Sequence, residues 1–201
     1  MRISDNLFWR RLHSFTGIAP LGGFLIFHLY TNSYSLNGAA AYDVQVRPLR
    51  QLPYILAIEI GVIFAPLLYH SLYGLYIWST SKANVQRYNY ARNWLYTMQR
   101  VTGLIAFAFI AYHIYDQRLR PAPSFANVAD SIANPYVLAF YIVGIAAVSW
   151  HMFNGVWNAL IKWGVTIGPQ AQRASLYVFS AMGIGLVYMG LRALSGFMVT
   201  K

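Results

Sequence analysis

Imidazole is a metal ligand, a proton carrier or a hydrogen-bonding group. Four of the chain's five histidines stand in apolar surroundings where none of those uses comes cheaply. His70 lies in "PLLYHSLYGLY" and His151 in "AVSWHMFNGVW". Each is followed four residues later by glycine, Gly74 and Gly155, and two residues after that by an aromatic, Tyr76 and Trp157. The other two, His28 and His113, sit in "FLIFHLYTN" and "FIAYHIYDQ". Each of those follows a Thr-Gly pair, Thr16-Gly17 and Thr102-Gly103, by eleven and ten residues counted from the glycine. One such histidine is readily a packed polar side chain on a backbone carbonyl. Two matched pairs call for a shared cause.

The elements that must position them are membrane helices. Hydrophobic residues make up 58% of the 201 and charged ones only 10%, against about 25% in a soluble domain. Five apolar runs, at about 14–32, 54–80, 101–116, 136–161 and 174–197, are each read as a transmembrane helix. The first lacks a small-residue cleavage site and is read as retained. The connections leave no room for a second domain, so residues 1–201 are expected to form one transmembrane unit. The histidine and glycine frames repeat after 85 residues (His28 to His113) and 81 (His70 to His151). A two-helix unit used twice, plus a fifth helix, predicts an all-α, up-and-down four-helix bundle with one helix added.

Depth then pairs the histidines. The first and third helices run one way, the second and fourth the other. At about 1.5 Å per residue, His28 and His113 both lie roughly 6 Å below the outer surface, and His70 and His151 roughly 24 Å below it. Parallel helices of such a bundle occupy diagonal corners. Two imidazoles facing each other across a diagonal suit the two axial positions of one iron in a flat macrocycle. A glycine on the same face as His70 or His151, Gly74 or Gly155, lets the ring approach the backbone. The reading is two non-covalent b haems, one on His28 and His113 near the outer face, one on His70 and His151 near the inner face. Zinc is the weaker alternative, because its ligands must converge on one point. The absence of cysteine removes disulfides, thiolate-held clusters and covalent haem attachment.

The net charge of +10 invites a nucleic-acid reading, but its placement favours a membrane. Nine cations fall at the N-terminus, in the second connection and in the fourth (Arg2, Arg10, Arg11, Lys82, Arg87, Arg92, Arg100, Lys162, Arg173). Six fall on the other side (Arg47, Arg50, Arg118, Arg120, Arg192, Lys201), with Asp43, Glu59, Asp116 and Asp130 on or near it. This predicts a cytoplasmic N-terminus and an outside C-terminus.

Glu59 is the one acid inside an apolar run, at about the depth of the outer pair. It is expected either to exchange protons within the membrane or to bond a neighbouring helix or reach the surface. Arg10, Arg11 and His13 in "RRLHS", and Arg100 beside Gln99, are either positive-inside anchors or contacts to a partner or to haem propionates.

Several stretches carry a family resemblance: "RRLHS", "GGFLIFHL", "PLLYHSLYGLYI", "ARNWLYTMQRVTG", "YHIYDQR", "FYIVG", "NGVWN" and "WGVTIGPQAQRAS". With these the chain resembles the single-chain dihaem cytochrome b subunits of succinate:menaquinone oxidoreductases of the Bacillus-like class. The resemblance implies axial haem ligation by His28, His70, His113 and His151, with no departure at those positions. It implies a flavoprotein and an iron–sulfur subunit as partners on the cytoplasmic face of a bacterial cell membrane. Electrons would reach the inner haem first, and the outer haem would lie nearer a quinone, menaquinone by resemblance, with which Glu59 would exchange protons. The subunit would form the quinone-reducing half of the enzyme, with no activity alone. A quinol-oxidising anchor of a fumarate reductase, or the cytochrome b of another respiratory complex, is the alternative.

Overall fold

The computed structural model describes residues 7–81, 84–119 and 124–199. Arg2, Lys82, Arg120 and Lys201 of the charge pattern lie outside them. Among the described residues there are only helices, turns and connections, and five helices are long and apolar enough to cross a membrane. These are α1 (Leu7–Asn37), α3 (Ile55–Thr80), α4 (Ala91–Leu119), α6 (Pro135–Lys162) and α7 (Gly168–Val199). Two short helices, α2 (Ala39–Arg50) and α5 (Phe125–Ile132), fill connections that the sequence reading left plain.

The long helices overrun the apolar runs that predict them. α1 begins at Leu7, α4 at Ala91 and α7 at Gly168, each with a polar first stretch. A hydrophobic run reports where chain meets hydrocarbon, whereas backbone hydrogen bonding continues beyond it. His28 and His113 therefore sit nine and six residues before their helix ends at Asn37 and Leu119, more than the roughly four that a depth of about 6 Å implies at about 1.5 Å per residue.

Around the bundle α1 packs on α3, α3 lightly on α4, α4 closely on α6, and α6 on α1. That order leaves α1 opposite α4 and α3 opposite α6, the diagonal arrangement expected of an up-and-down bundle. α7 lies outside the four, along α6 and the C-terminal half of α1. None of the most apolar stretch of α3 is fully buried, and Leu56, Ile60, Val62, Leu68 and Leu72 are exposed where lipid would be.

Without water, apolar burial does not drive helices together, and close packing does. Near the C-terminal end of α4, Tyr42, Phe109, Phe125, Val128, Ile132, Tyr141, Leu194 and Phe197 join α2, α4, α5, α6 and α7 in one buried cluster. The Asp43 carboxylate accepts the Phe125 N–H at 2.9 Å and ties α2 to the start of α5. Burial, helped by Asp43, pushes the Tyr42 phenol up to about 12, so it stays the uncharged donor to Asn32 Oδ1 at 3.5 Å.

Three π-helical turns interrupt the long helices, at Gly17–Gly22, Glu59–Phe64 and Tyr115–Leu119. The first contains Pro20, whose missing N–H and ring favour a widened turn. It also settles the unequal spacing of the repeat. Eleven residues separate Gly17 from His28 and ten separate Gly103 from His113, a stretch that is α-helical throughout. A π turn absorbs one extra residue, so both histidines return to equivalent positions.

Candidate functional site

The site is two pairs of histidines facing each other across the bundle's diagonals. His28 of α1 and His113 of α4 have ring centroids 5.6 Å apart with planes crossing at 78°. His70 of α3 and His151 of α6 have centroids 6.1 Å apart at 89°. The structure thus brings together the pairs read from depth in the sequence.

At the inner pair the two halves of the repeat repeat their hydrogen bonds. His70 Nδ1 lies 3.0 Å from the carbonyl oxygen of His13, and His151 Nδ1 lies 2.9 Å from that of Gln99. His13 and Gln99 each stand four residues before the Thr-Gly glycine, so they are equivalent positions. A carbonyl can only accept, so Nδ1 carries the proton and Nε2 keeps its lone pair. The side chains at those positions also cover the imidazoles. His13 stacks on His70 at 4.1 Å and 8°, and the Gln99 amide donates to the His151 carbonyl at 2.9 Å. Asn154 in turn donates to Gln99 Oε1 at 2.7 Å and fixes that amide.

Glycine makes this approach possible, and the tightest positions are the Thr-Gly ones. A Cβ at Gly17 would lie 2.5 Å from the His70 ring, and one at Gly103 would lie 2.9 Å from that of His151. At Gly74 and Gly155 a Cβ would meet the His13 and Gln99 side chains instead, at 3.3 and 3.1 Å. The Thr-Gly repeat was visible in the sequence as a pattern, but its contact with the imidazole of the other helix pair was not.

The outer pair is held differently. His113 Nδ1 lies 3.2 Å from the Tyr141 hydroxyl, which donates to Asp116 Oδ2 at 3.3 Å. Gln117 donates to the same oxygen at 2.7 Å, and all three side chains are buried. His28 has the Asn32 amide 3.4–3.5 Å from its ring nitrogens, while that amide's shorter bond, 2.7 Å, goes to the His28 carbonyl. Sequence alone does not mark this group: Asp116 reads as a charge at a helix end, although the His-x-x-Asp spacing places it one turn from His113.

Glu59 stands in the π turn of α3, with Arg118 Nη2 of α4 2.7 Å from its Oε2 and Nε 3.3 Å from its Oε1. The pair bridges two helices that otherwise touch lightly. Arg100 donates to the Trp78 carbonyl at 2.8 Å and lies over the Tyr96 ring at 5.0 Å. Arg10 and Arg11 are exposed on the first turns of α1.

These residues fit haem. Metal–nitrogen bonds of about 2.0–2.1 Å on opposite sides of one ion put two imidazole centroids about 6 Å apart, as both pairs are. Among the described residues no three metal-ligating side chains converge, so each pair offers two imidazoles and no third such ligand. At the inner end the buried Arg100 Nε and His13 Nδ1 have no hydrogen-bond partner. An anionic group carried on a macrocycle would satisfy such atoms.

A family model described as the succinate dehydrogenase/fumarate reductase transmembrane subunit matches residues 79–189. The chain is 40% identical over 196 residues to the succinate dehydrogenase cytochrome b558 subunit of Bacillus subtilis strain 168, covering 96% of this chain and 97% of that one. It is 31% identical over 78 residues to the succinate dehydrogenase hydrophobic membrane anchor subunit of Thermoplasma acidophilum, 37% of this chain and 62% of that one. To the like-named subunit of Archaeoglobus fulgidus it is 35% identical over 65 residues, 31% and 54% of the two chains.

Proposed function

The chain belongs to the succinate dehydrogenase/fumarate reductase transmembrane-subunit family, and we propose that it carries electrons through two b haems between an iron–sulfur subunit and a membrane quinone. In this reading it is the membrane anchor of a succinate dehydrogenase, seated under a flavoprotein and an iron–sulfur subunit in a bacterial cell membrane. It supplies the quinone-reducing half of the reaction and has no activity alone. Menaquinone is the proposed quinone.

The observation that carries the reading is the pair of diagonal contacts, at 5.6 and 6.1 Å. His28 and His113 would hold the outer haem, His70 and His151 the inner one. When bound, the haems supply reversible one-electron chemistry. The chain's own residues do the positioning. The carbonyls of His13 and Gln99 hold the inner imidazoles in the Nδ1–H form. Gly17 and Gly103 leave room for those rings, and Gly74 and Gly155 seat the His13 and Gln99 side chains beside them. Arg100 and His13 are assigned to the propionates of the inner haem. Arg10 and Arg11, exposed at the same end, are assigned to the iron–sulfur subunit. Glu59, paired with Arg118, is assigned to proton exchange at the quinone end.

The positive-inside bias supports a cytoplasmic N-terminus and an outside C-terminus. The described acids Asp43, Glu59, Asp116 and Asp130 all lie on or toward the opposite side. Haem analysis of the purified complex tests the reading: two haems b per copy of this chain are expected, and none would overturn it.

A further inference from the structure

The four ligand imidazoles are not held alike. Among the described residues, the Nδ1 atoms of His70 and His151 face backbone carbonyls, which are neutral. That of His113 faces a side-chain hydroxyl, and behind the hydroxyl stands a carboxylate.

We propose that Asp116, acting through the Tyr141 hydroxyl, fixes the ring of His113 and lowers the midpoint potential of the outer haem. The inference rests on the dihaem reading above. Its geometry is set by where protons can go. The Tyr141 hydroxyl has one proton and donates it to Asp116 Oδ2 at 3.3 Å. Its oxygen is then the acceptor for His113 Nδ1–H at 3.2 Å, which leaves Nε2 free to ligate iron. The Gln117 amide, 2.7 Å from the same Asp116 oxygen and 3.5 Å from the Tyr141 oxygen, braces the arrangement.

Asp116, Tyr141 and Gln117 are 6%, 4% and 9% exposed, so the charge acts with little screening by water. An acceptor at the far nitrogen makes an imidazole a stronger donor to its metal, more so when that acceptor is polarised by an anion. Stronger donation favours ferric over ferrous iron, which is a lower potential. Asp116 and Tyr141 are thus positioning residues, with Asp116 acting at one remove. The π turn at Tyr115–Leu119 is the local device, since it begins between His113 and Asp116 and sets where the carboxylate points.

The test is a potentiometric titration of the purified three-subunit complex, followed in the haem b absorption bands. Wild type is compared with Tyr141→Phe and Asp116→Asn, and the outer component is assigned as the one missing in His28→Ala. Both variants should raise the outer potential by a tenfold or greater change in the reduction equilibrium, about 59 mV for one electron. The inner potential and the haem content should stay unchanged. Asp116→Asn keeps the side chain's size and carries the test should Tyr141→Phe fail to assemble. An outer potential unmoved in Tyr141→Phe, with two haems present, overturns this inference alone, even if Asp116→Asn shifts it by removing a nearby charge. Wild-type complex without haem b overturns it together with the reading on which it rests.

Discussion

At the scale of single residues, placement matters more than identity. A buried histidine is unremarkable until its two nitrogens are assigned. Here His70 and His151 each commit Nδ1 to a carbonyl, which leaves the lone pair on Nε2. The glycines that admit those rings give a sharp prediction. Gly17→Val or Gly103→Val would drive side-chain atoms into an imidazole that even a Cβ would meet at 2.5 or 2.9 Å, closer than the packing allows. Overpacking of this kind costs about 1–3 kcal/mol where the site can yield. We expect loss of the inner haem with the outer one retained, read as a fall from two haems to one in difference spectra. Glu59 is tested by Glu59→Gln, which keeps its shape and removes its charge. The proton-exchange assignment predicts slowed quinone reduction with an altered pH profile. Full activity with the same profile would reduce Glu59–Arg118 to an ion pair 20% and 41% exposed, worth about 0–1 kcal/mol. The four histidines stood out in the sequence because apolar surroundings make a histidine conspicuous, and the structure brings them together in two pairs. Asp116 and Tyr141 did not stand out, since an acid at a helix end looks like a surface charge and a tyrosine in a tyrosine-rich chain looks like an interfacial anchor.

At the scale of elements, the repeat holds in spite of its irregular numbering. Ten residues from Gly103 to His113 fit a plain α-helix, and eleven from Gly17 to His28 fit one that contains a π turn. Deleting Pro20 should therefore shorten the first stretch to ten, remove the cause of the widened turn and leave both haems in place. Inserting one alanine between Gly103 and His113 should instead turn His113 by about 100° at 3.6 residues per turn. That variant is expected to lose the outer haem, and haem counts on the two proteins decide the matter. The five spans were legible from hydropathy alone. Their ends were not, because "ARNWLYTMQR" and "GPQAQRAS" keep helical hydrogen bonding outside the apolar runs. Nor were α2 and α5, whose place is fixed by contacts distant in sequence, such as Asp43 to the Phe125 N–H.

At the scale of the whole molecule, one polarity organises the rest. Cations gather at the end that carries Leu7, Lys162 and Gly168, and the described acids sit toward the other. Reporter fusions should find the N-terminus in the cytoplasm and the C-terminus outside; the reverse result would exchange the inner and outer haems. Between the two ends, diagonal helices bring imidazoles within one ion's reach at two levels, while α3 touches α4 only lightly and is held across that seam by Arg118 and Glu59. The central claim is that each level holds one haem, and the most direct measurement is haem b per chain in the purified complex and in single histidine variants. The account predicts two in wild type and loss of one, from the matching level, in His28→Ala, His70→Ala, His113→Ala and His151→Ala. A complex without haem, or one that keeps both after these imidazoles are removed, would contradict it.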